Sequence, residues 1–106
     1  MTFEEIKQLT EFDRSLKQGN LVTVRWGYGS GFRAEGRGVV SAVFPKSVRV
    51  VLIESVWYNN EKQASGKEAD WPAGFELHGI PRFSLLSRNW DYWHSVSPCN
   101  HLGGKP

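Results

Sequence analysis

The chain has little of the chemistry that marks metal proteins and disulfide-linked folds. It contains one cysteine, Cys99, and three histidines among 106 residues. A single cysteine cannot form a disulfide within the chain, and structural zinc sites usually show paired Cys or His motifs. His94, Cys99 and His101 stand close together in the sequence, but a fourth ligand is missing from their neighbourhood. We therefore expect no metal and no cofactor, and we interpret these three residues as parts of a C-terminal tail.

Long apolar runs are also missing. The most apolar window, residues 48–53, is far shorter than the roughly 20 residues of a membrane-spanning helix, and Arg49 interrupts it. The N-terminus has neither the basic start nor the apolar stretch of a signal peptide. Together with the low cysteine content, these features predict a cytoplasmic protein that has no membrane partner.

Recognisable catalytic motifs are absent as well. The glycine-rich segment 27–31 lacks the Gly-Lys-Ser/Thr ending of a phosphate-binding loop, and no helix pattern follows it. Cys99 has no helix start or base beside it that would make it a nucleophile. The carboxylates are scattered over the predicted helix and loops. We therefore predict that the protein is not an enzyme and has no catalytic residues.

Excess charge of one sign is confined to one part of the chain. The net charge of the whole sequence is only +2. Residues 21–58, however, combine five basic side chains with only two acidic ones, Glu35 and Glu54, which gives +3. Positive potential is therefore expected to gather on this half of the protein.

The first pattern that is present is that of a helix. Thr2 and Glu5 have the form of a capping box, and apolar residues then recur at spacings of three and four. These residues are Phe3, Ile6, Leu9, Phe12 and Leu16. Gly19 and Asn20 supply a C-terminal stop. We predict an N-terminal amphipathic helix within residues 1–19, whose apolar stripe is also a candidate surface for a homodimer.

From Leu21 the apolar period changes to two, which is typical of strands. Residues 21–26 form the first predicted strand, and residues 38–44 and 47–56 form a hairpin around a proline turn. Residues 75–81 read as another strand, and residues 83–86 as the start of a further short one. We expect a long solvated loop over 59–70, a barrel over 20–96 and a flexible tail over 97–106.

One helix and four or five short strands bury their apolar faces most simply in a small barrel. The segments Leu21-Val-Thr-Val-Arg-Trp-Gly-Tyr-Gly, Gly36-Arg-Gly-Val-Val-Ser-Ala-Val and Ser47-Val-Arg-Val-Val-Leu resemble the SH3-like small β-barrels, including the Tudor and KOW types. An OB-like barrel is the alternative fold. Members of the SH3-like group bind nucleic acid, methylated side chains or proline-rich peptides, so the resemblance implies a binding module. In its compactness the chain also resembles small accessory proteins of mobile genetic elements.

The glycine-rich loop between the first two strands is the leading candidate for ligand contact. Tyr28 and Phe32 are placed to stack on bases, while Arg33 and Arg37 are placed to meet phosphates. Glycine is common in any turn, so a plain solvated hairpin loop is the alternative interpretation.

Strand residues extend this candidate site. We expect Trp26 to be buried, because it shares its parity with the inward valines, whereas Arg25 and Arg49 are expected on the outer face. One of the adjacent Trp57 and Tyr58 should be exposed. The complete set of predicted contact residues is Arg25, Tyr28, Phe32, Arg33, Arg37, Lys46, Arg49, Trp57, Tyr58 and Trp71. The predicted function is nucleic-acid binding, and the alternative is a protein-interaction adaptor or inhibitor that uses exposed aromatic residues, with a homodimer as its candidate state.

Overall fold

The computed structural model describes residues 2–27, 33–60, 68–86 and 94–99. Within these residues one helix precedes five strands. They are α1 (Phe3–Arg14), β1 (Leu21–Trp26), β2 (Ala34–Val43), β3 (Ser47–Leu52), β4 (Glu76–Pro81) and β5 (Ser95–Pro98). None of the helices in this part of the chain is long and apolar enough to cross a membrane.

The strands form one antiparallel sheet in the order β4-β3-β2-β1-β5. The sheet curls strongly into a half-barrel, so that its edge strands β4 and β5 approach each other. Irregular register between Val40 and Ala42, and between Val48 and Val50, adds local bends of the kind that β-bulges produce. The predicted fold class, mainly β with one N-terminal helix and a small barrel-like sheet, is confirmed.

The concave side of the sheet holds the core. Val22, Val24 and Trp26 of β1 point inward, as the period of two predicts, and they meet Val48 and Val50 of β3. Gly38 lies on the same side in β2, and a Cβ there would come within 2.7 Å of the Val51 carbonyl oxygen. The absence of a side chain at this position therefore lets β2 and β3 pack closely where the sheet curls.

Helix α1 begins as predicted but ends earlier. The capping box is confirmed, because the Glu5 amide donates to Thr2 Oγ1 (3.1 Å) and the Thr2 amide donates to Glu5 Oε1 (2.8 Å). The helix ends at Arg14, with Ser15 as its C-cap, so Leu16 lies beyond it. Leu16 is buried and Phe12 packs against the core, but no residue of α1 itself is fully buried. The helix is therefore attached to the sheet mainly near its C-terminal end.

Arg82 makes this attachment. Its Nε and Nη2 donate to the two carboxylate oxygens of Asp13 at 3.0 and 3.1 Å. The same guanidinium donates to the carbonyl oxygen of Asp13 (3.1 Å) and to that of Phe44 (3.0 Å). One side chain thus joins the end of α1 to the β2–β3 hairpin, and we call this arrangement the Arg82 clamp.

The structure of residues 83–86 and 95–98 differs from the prediction made from the sequence. Residues 83–86 do not form the strand that their apolar pattern predicted. The fifth strand is instead β5, which pairs with β1 from Val22 opposite Pro98 to Arg25 opposite Ser95. Ser97 and Pro98 therefore belong to the sheet, although the sequence analysis assigned them to the tail. Pairing with a distant strand selects this segment, and its own four residues carry little strand signal.

Candidate functional site

One end of the half-barrel brings together most of the aromatic residues singled out in the sequence. β1 ends there at Trp26, and the segment that follows β3 runs past the same place. Trp26 and Trp71 pack edge to face, with ring centroids 5.3 Å apart and planes at 88°. We call Trp26, Trp57, Tyr58 and Trp71 the aromatic end.

Short backbone contacts hold the aromatic end in place. Val56 and Trp71 form a two-way bridge, in which each amide donates to the other's carbonyl oxygen at 2.8 and 3.0 Å. Two residues further on, the Tyr58 amide donates to Asp70 Oδ2 at 2.7 Å. These bonds fix both sides of the β3–β4 connection where it carries the aromatic side chains.

The glycine-rich loop returns to the sheet at this same end. The Arg33 amide donates to Asn59 Oδ1 at 2.7 Å. Asn59 itself has a positive φ of 53°, a left-handed conformation that asparagine tolerates better than most residues. Neither Asn59 nor Asp70 was predicted to belong to the site. The Asn59-Asn60 turn signal was visible in the sequence, but its partner on another loop was not.

The aromatic side chains differ in their exposure. Trp26 is buried, as predicted, while Tyr58 is 48% exposed and Trp57 is half-buried. The prediction that one of Trp57 and Tyr58 faces solvent is therefore confirmed. Trp71 is half-buried and packs partly against the core. The aromatic end consequently has a buried base, Trp26, and an accessible rim.

The buried base contains an unsatisfied donor. Trp26 Nε1 has no hydrogen-bond acceptor among the residues that the structure describes. Leaving such a donor buried typically costs about 1–3 kcal/mol.

Arg25 does not lie on an exposed outer face as predicted. It is only 2% exposed. Its Nε lies 3.3 Å from Glu35 Oε1, and its Nη1 donates to Ser97 Oγ at 3.4 Å. The prediction treated β1 without knowledge of β5, which places Ser95 directly opposite Arg25. Arg25 is therefore a structural residue and cannot meet a partner without a rearrangement.

The other predicted cations are distributed over the molecule. Arg37 is exposed, but its Nη2 lies 3.3 Å from Glu54 Oε1 and its amide donates to Glu54 Oε2 at 2.9 Å. This hydrogen-bonded and charged neighbour raises the pKa of Arg37 above its usual value. Arg49 is half-buried and donates from Nε to Ser41 Oγ at 2.9 Å. Much of the positive charge counted in the sequence is thus already compensated.

The predicted site is therefore only partly assembled in one place. Arg33, Trp57, Tyr58 and Trp71 meet at the aromatic end. Lys46 is exposed in the β2–β3 turn at the opposite end of the sheet, and Arg49 lies near that turn. Tyr28 and Phe32, the two loop residues expected to stack on bases, lie outside the described residues.

Metal-ligand atoms do not cluster in the described ranges, where no group of three His, Cys, Asp or Glu residues is arranged around a common point. Cys99 instead accepts a long hydrogen bond from Thr23 Oγ1, at 3.7 Å, on the outer side of β1. His101 lies outside the described residues.

Comparisons with protein-family models, with curated proteins and with solved structures find no match to this chain.

Proposed function

We propose that the protein is a small non-catalytic binding module that recognises a partner protein through its aromatic end. The observation that carries the proposal is the accessible rim at this end, where the backbone that carries Trp57 and Tyr58 is bonded to the segment that carries Trp71 of the Trp26–Trp71 pair. Aromatic residues held in fixed positions are enriched among the residues that dominate protein–protein binding energy. The hydrogen bonds from Arg33 and Tyr58 to neighbouring loops support a surface that is preorganised before binding.

The charge distribution favours a protein partner over nucleic acid. Nucleic-acid affinity comes largely from cations that neutralise phosphates. Arg25 is buried beside Glu35, and Arg37 is paired with Glu54. Lys46 lies at the opposite end of the sheet from the aromatic rings. Arg33 lies at the aromatic end, but the other predicted cations in the described residues are buried, paired or distant from it, whereas binding to single strands combines a basic groove with stacking rings.

The proposal is tested by comparing two exposed aromatic residues at opposite ends of the sheet. Tyr58 is 48% exposed and Phe44 is 46% exposed. Affinity capture from a nuclease-treated extract of the source cells is followed by titration of the purified partner. We expect Tyr58→Ala to weaken the partner's binding by about tenfold or more, since a central aromatic contact contributes at least 1.4 kcal/mol. Phe44→Ala is the matched control and should bind as the unchanged protein does. Equal binding by both variants would refute the proposal.

Nucleic-acid binding stays a prediction of the sequence, and a separate titration addresses it. Fluorescence anisotropy of single- and double-stranded oligonucleotides at low salt reports binding directly. Salt-dependent binding that Tyr58→Ala abolishes would favour this prediction over a protein partner, because phosphate contacts release counterions. A cytoplasmic location and a relation to mobile genetic elements are also predictions of the sequence. The two binding experiments do not test them.

A further inference from the structure

Helix α1 carries an ordered row of charges that its own fold does not use. Glu4, Lys7, Glu11 and Arg14 are all exposed and alternate in sign along the helix. At spacings of three and four residues they lie on neighbouring positions of one side of the helix. None of the four forms an ion pair with another residue in the described part of the chain. Glu4 accepts only a 3.4 Å hydrogen bond from Gln8.

The row of charges on α1 is complementary to the same row on a second copy of the chain when the two helices lie antiparallel. If Lys7 of one copy lies opposite Glu11 of a second copy, symmetry also places Glu11 opposite the second Lys7. The same register brings Glu4 opposite Arg14. A two-fold axis across the helix thus produces only attractive pairs, whereas a parallel arrangement in register would place like charges together.

An unpartnered aromatic residue lies on the same side of the helix. Phe3 is 81% exposed. It shares a helix face with Thr10 and Arg14, because seven and eleven residues correspond to nearly whole numbers of turns. In the antiparallel arrangement, Phe3 of one copy reaches the C-terminal end of α1 in the other. Its ring is therefore accessible to a second molecule.

The surface that Phe3 of the other copy reaches lies beside the C-terminal end of α1. A groove of about 840 Å³ runs between Thr10 and Arg14 of the helix, Pro45 and Lys46 of the β2–β3 turn, and the segment from Arg82 to Leu86. Leu86 is 93% exposed at its wall. The carboxylate of Asp13 is already bound by the Arg82 clamp. The groove therefore offers apolar area beside Arg14 and Lys46, two cations without an ion pair among the described residues, which suits Phe3 followed by Glu4.

We infer that two copies of the chain pair antiparallel through α1, with Phe3 of each copy seated on the groove of the other. The helix has 12 residues and is about 18 Å long. Such a helix pair with one inserted aromatic residue buries less than the roughly 1,600 Å² of a standard interface, so we expect dissociation in the micromolar range. This pairing uses the opposite end of the protein from the aromatic end and is independent of the proposed function.

The decisive experiment mixes two variants with opposite charge changes. Lys7→Glu makes the centre of the row entirely acidic, and Glu11→Lys makes it entirely basic. Each variant alone places like charges opposite each other in the dimer. Sedimentation equilibrium should show the unchanged protein approaching twice the mass of the 12.0 kDa chain, while each variant dissociates at least tenfold more readily. An equimolar mixture of the two should recover the dimer.

Recovery in the mixture separates pairing between chains from effects within one helix. Both single variants also change the i, i+4 relation of residues 7 and 11 within α1, and mixing cannot repair that change. Circular dichroism checks that each variant keeps its helix. A sedimentation mass of one chain at all concentrations up to a millimolar would overturn the inference, as would a mixture that stays monomeric.

Two further variants test the apolar contact and its independence. Phe3→Ser should weaken the dimer at least tenfold, while Tyr58→Ser, at the aromatic end, should leave its dissociation constant unchanged. Conversely, Phe3→Ser should bind normally to a partner that has a single site for the aromatic end. If Tyr58→Ser dissociates the dimer and Phe3→Ser does not, α1 is not the interface and the inference fails.

Discussion

At the scale of single residues, the curl of the sheet depends on inward positions that have no room for a side chain. At Gly38, a Cβ would lie 2.7 Å from the Val51 carbonyl oxygen and 2.5 Å from a methyl carbon of Val50. Backbone oxygen cannot move aside as the tip of a flexible side chain can. Two strands that already form the centre of the sheet would have to separate locally.

We expect Gly38→Ala to destabilise the protein by about 1–3 kcal/mol, since a methyl group forced into a packed interior strains its surroundings. Urea unfolding followed by tryptophan fluorescence measures the loss. Arg37→Ala is the neighbouring control, because Arg37 is exposed and its pairing with Glu54 is a surface interaction of little energetic consequence. Equal midpoints for Gly38→Ala and the unchanged protein would mean that β2 and β3 are not packed this closely.

The burial of Arg25 could not be predicted from the sequence of β1 alone. The alternation in β1 correctly separated Val22 and Val24 from Arg25. It did not reveal that Arg25 is also shielded, because that depends on β5, where Ser95 lies opposite Arg25 and Ser97 Oγ accepts a hydrogen bond from its guanidinium. Periodicity gives the direction of a side chain, whereas its exposure depends on segments far away in the sequence.

At the scale of elements, the Arg82 clamp determines where α1 sits. The bidentate contact with Asp13 and the contacts with two carbonyl oxygens join three elements through one guanidinium. Arginine suits this position because its donors are arranged in a planar fork, which lysine lacks. Without the clamp, α1 would keep its approach to β5, the packing of Phe12 against the core and the burial of Leu16 just beyond its end.

We expect Arg82→Met to cost about 1.5–3 kcal/mol, the usual range for hydrogen bonds to a charged group. Urea unfolding measures the stability, and hydrogen exchange should show faster exchange in α1 than in β2 and β3. Lys17→Met is the control for removing a cation from an exposed position near the helix. Unchanged exchange in α1 would show that other contacts hold the helix.

The elements divide into those that local signals identify and those that they do not. The capping box and the apolar spacing identified α1, alternation and β-branched residues identified β1 and most of β2 and β3, and the apolar residues of 75–81 identified β4. β2 begins at Ala34, earlier than the predicted 38–44, so Arg37 lies in the sheet and not in the glycine-rich loop, and β3 ends at Leu52 within the predicted 47–56. β5 has four residues and ends in proline, and it forms only against the edge of β1. The pattern at Phe83, Leu85 and Leu86 looked more like a strand. In the structure Phe83 is instead buried, and Leu85 and Leu86 are exposed at the groove.

At the scale of the whole molecule, the half-barrel separates two surfaces of different chemistry. The aromatic end collects Trp57, Tyr58 and Trp71 with Arg33, and we propose it as the contact surface for a partner protein. The opposite end combines α1, its groove and the β2–β3 turn, and we infer that it pairs two copies of the chain. With one surface at each end, a dimer would present two aromatic ends, which would increase its avidity for a repeated or dimeric partner.

The aromatic set could be predicted from the sequence, but its assembly could not. The sequence analysis predicted Trp57, Tyr58 and Trp71 as contact residues and Trp26 as buried. Their meeting depends on the Val56–Trp71 bridge and on Asn59 and Asp70, which bind across loops. Conversely, the basic residues were counted as one patch, and the fold spreads them between a buried position, an ion pair and the far turn.

The arrangement of tryptophans at the aromatic end is the premise on which the account depends most. Fluorine NMR of protein labelled with 5-fluorotryptophan, with resonances assigned by single Trp→Phe replacements, resolves each indole. A soluble gadolinium chelate then reports how closely solvent approaches. We predict weak relaxation enhancement at Trp26 and clearly stronger enhancement at Trp57 and Trp71. Enhancement at Trp26 equal to that at Trp57 would contradict the account, because the buried base and accessible rim would not exist.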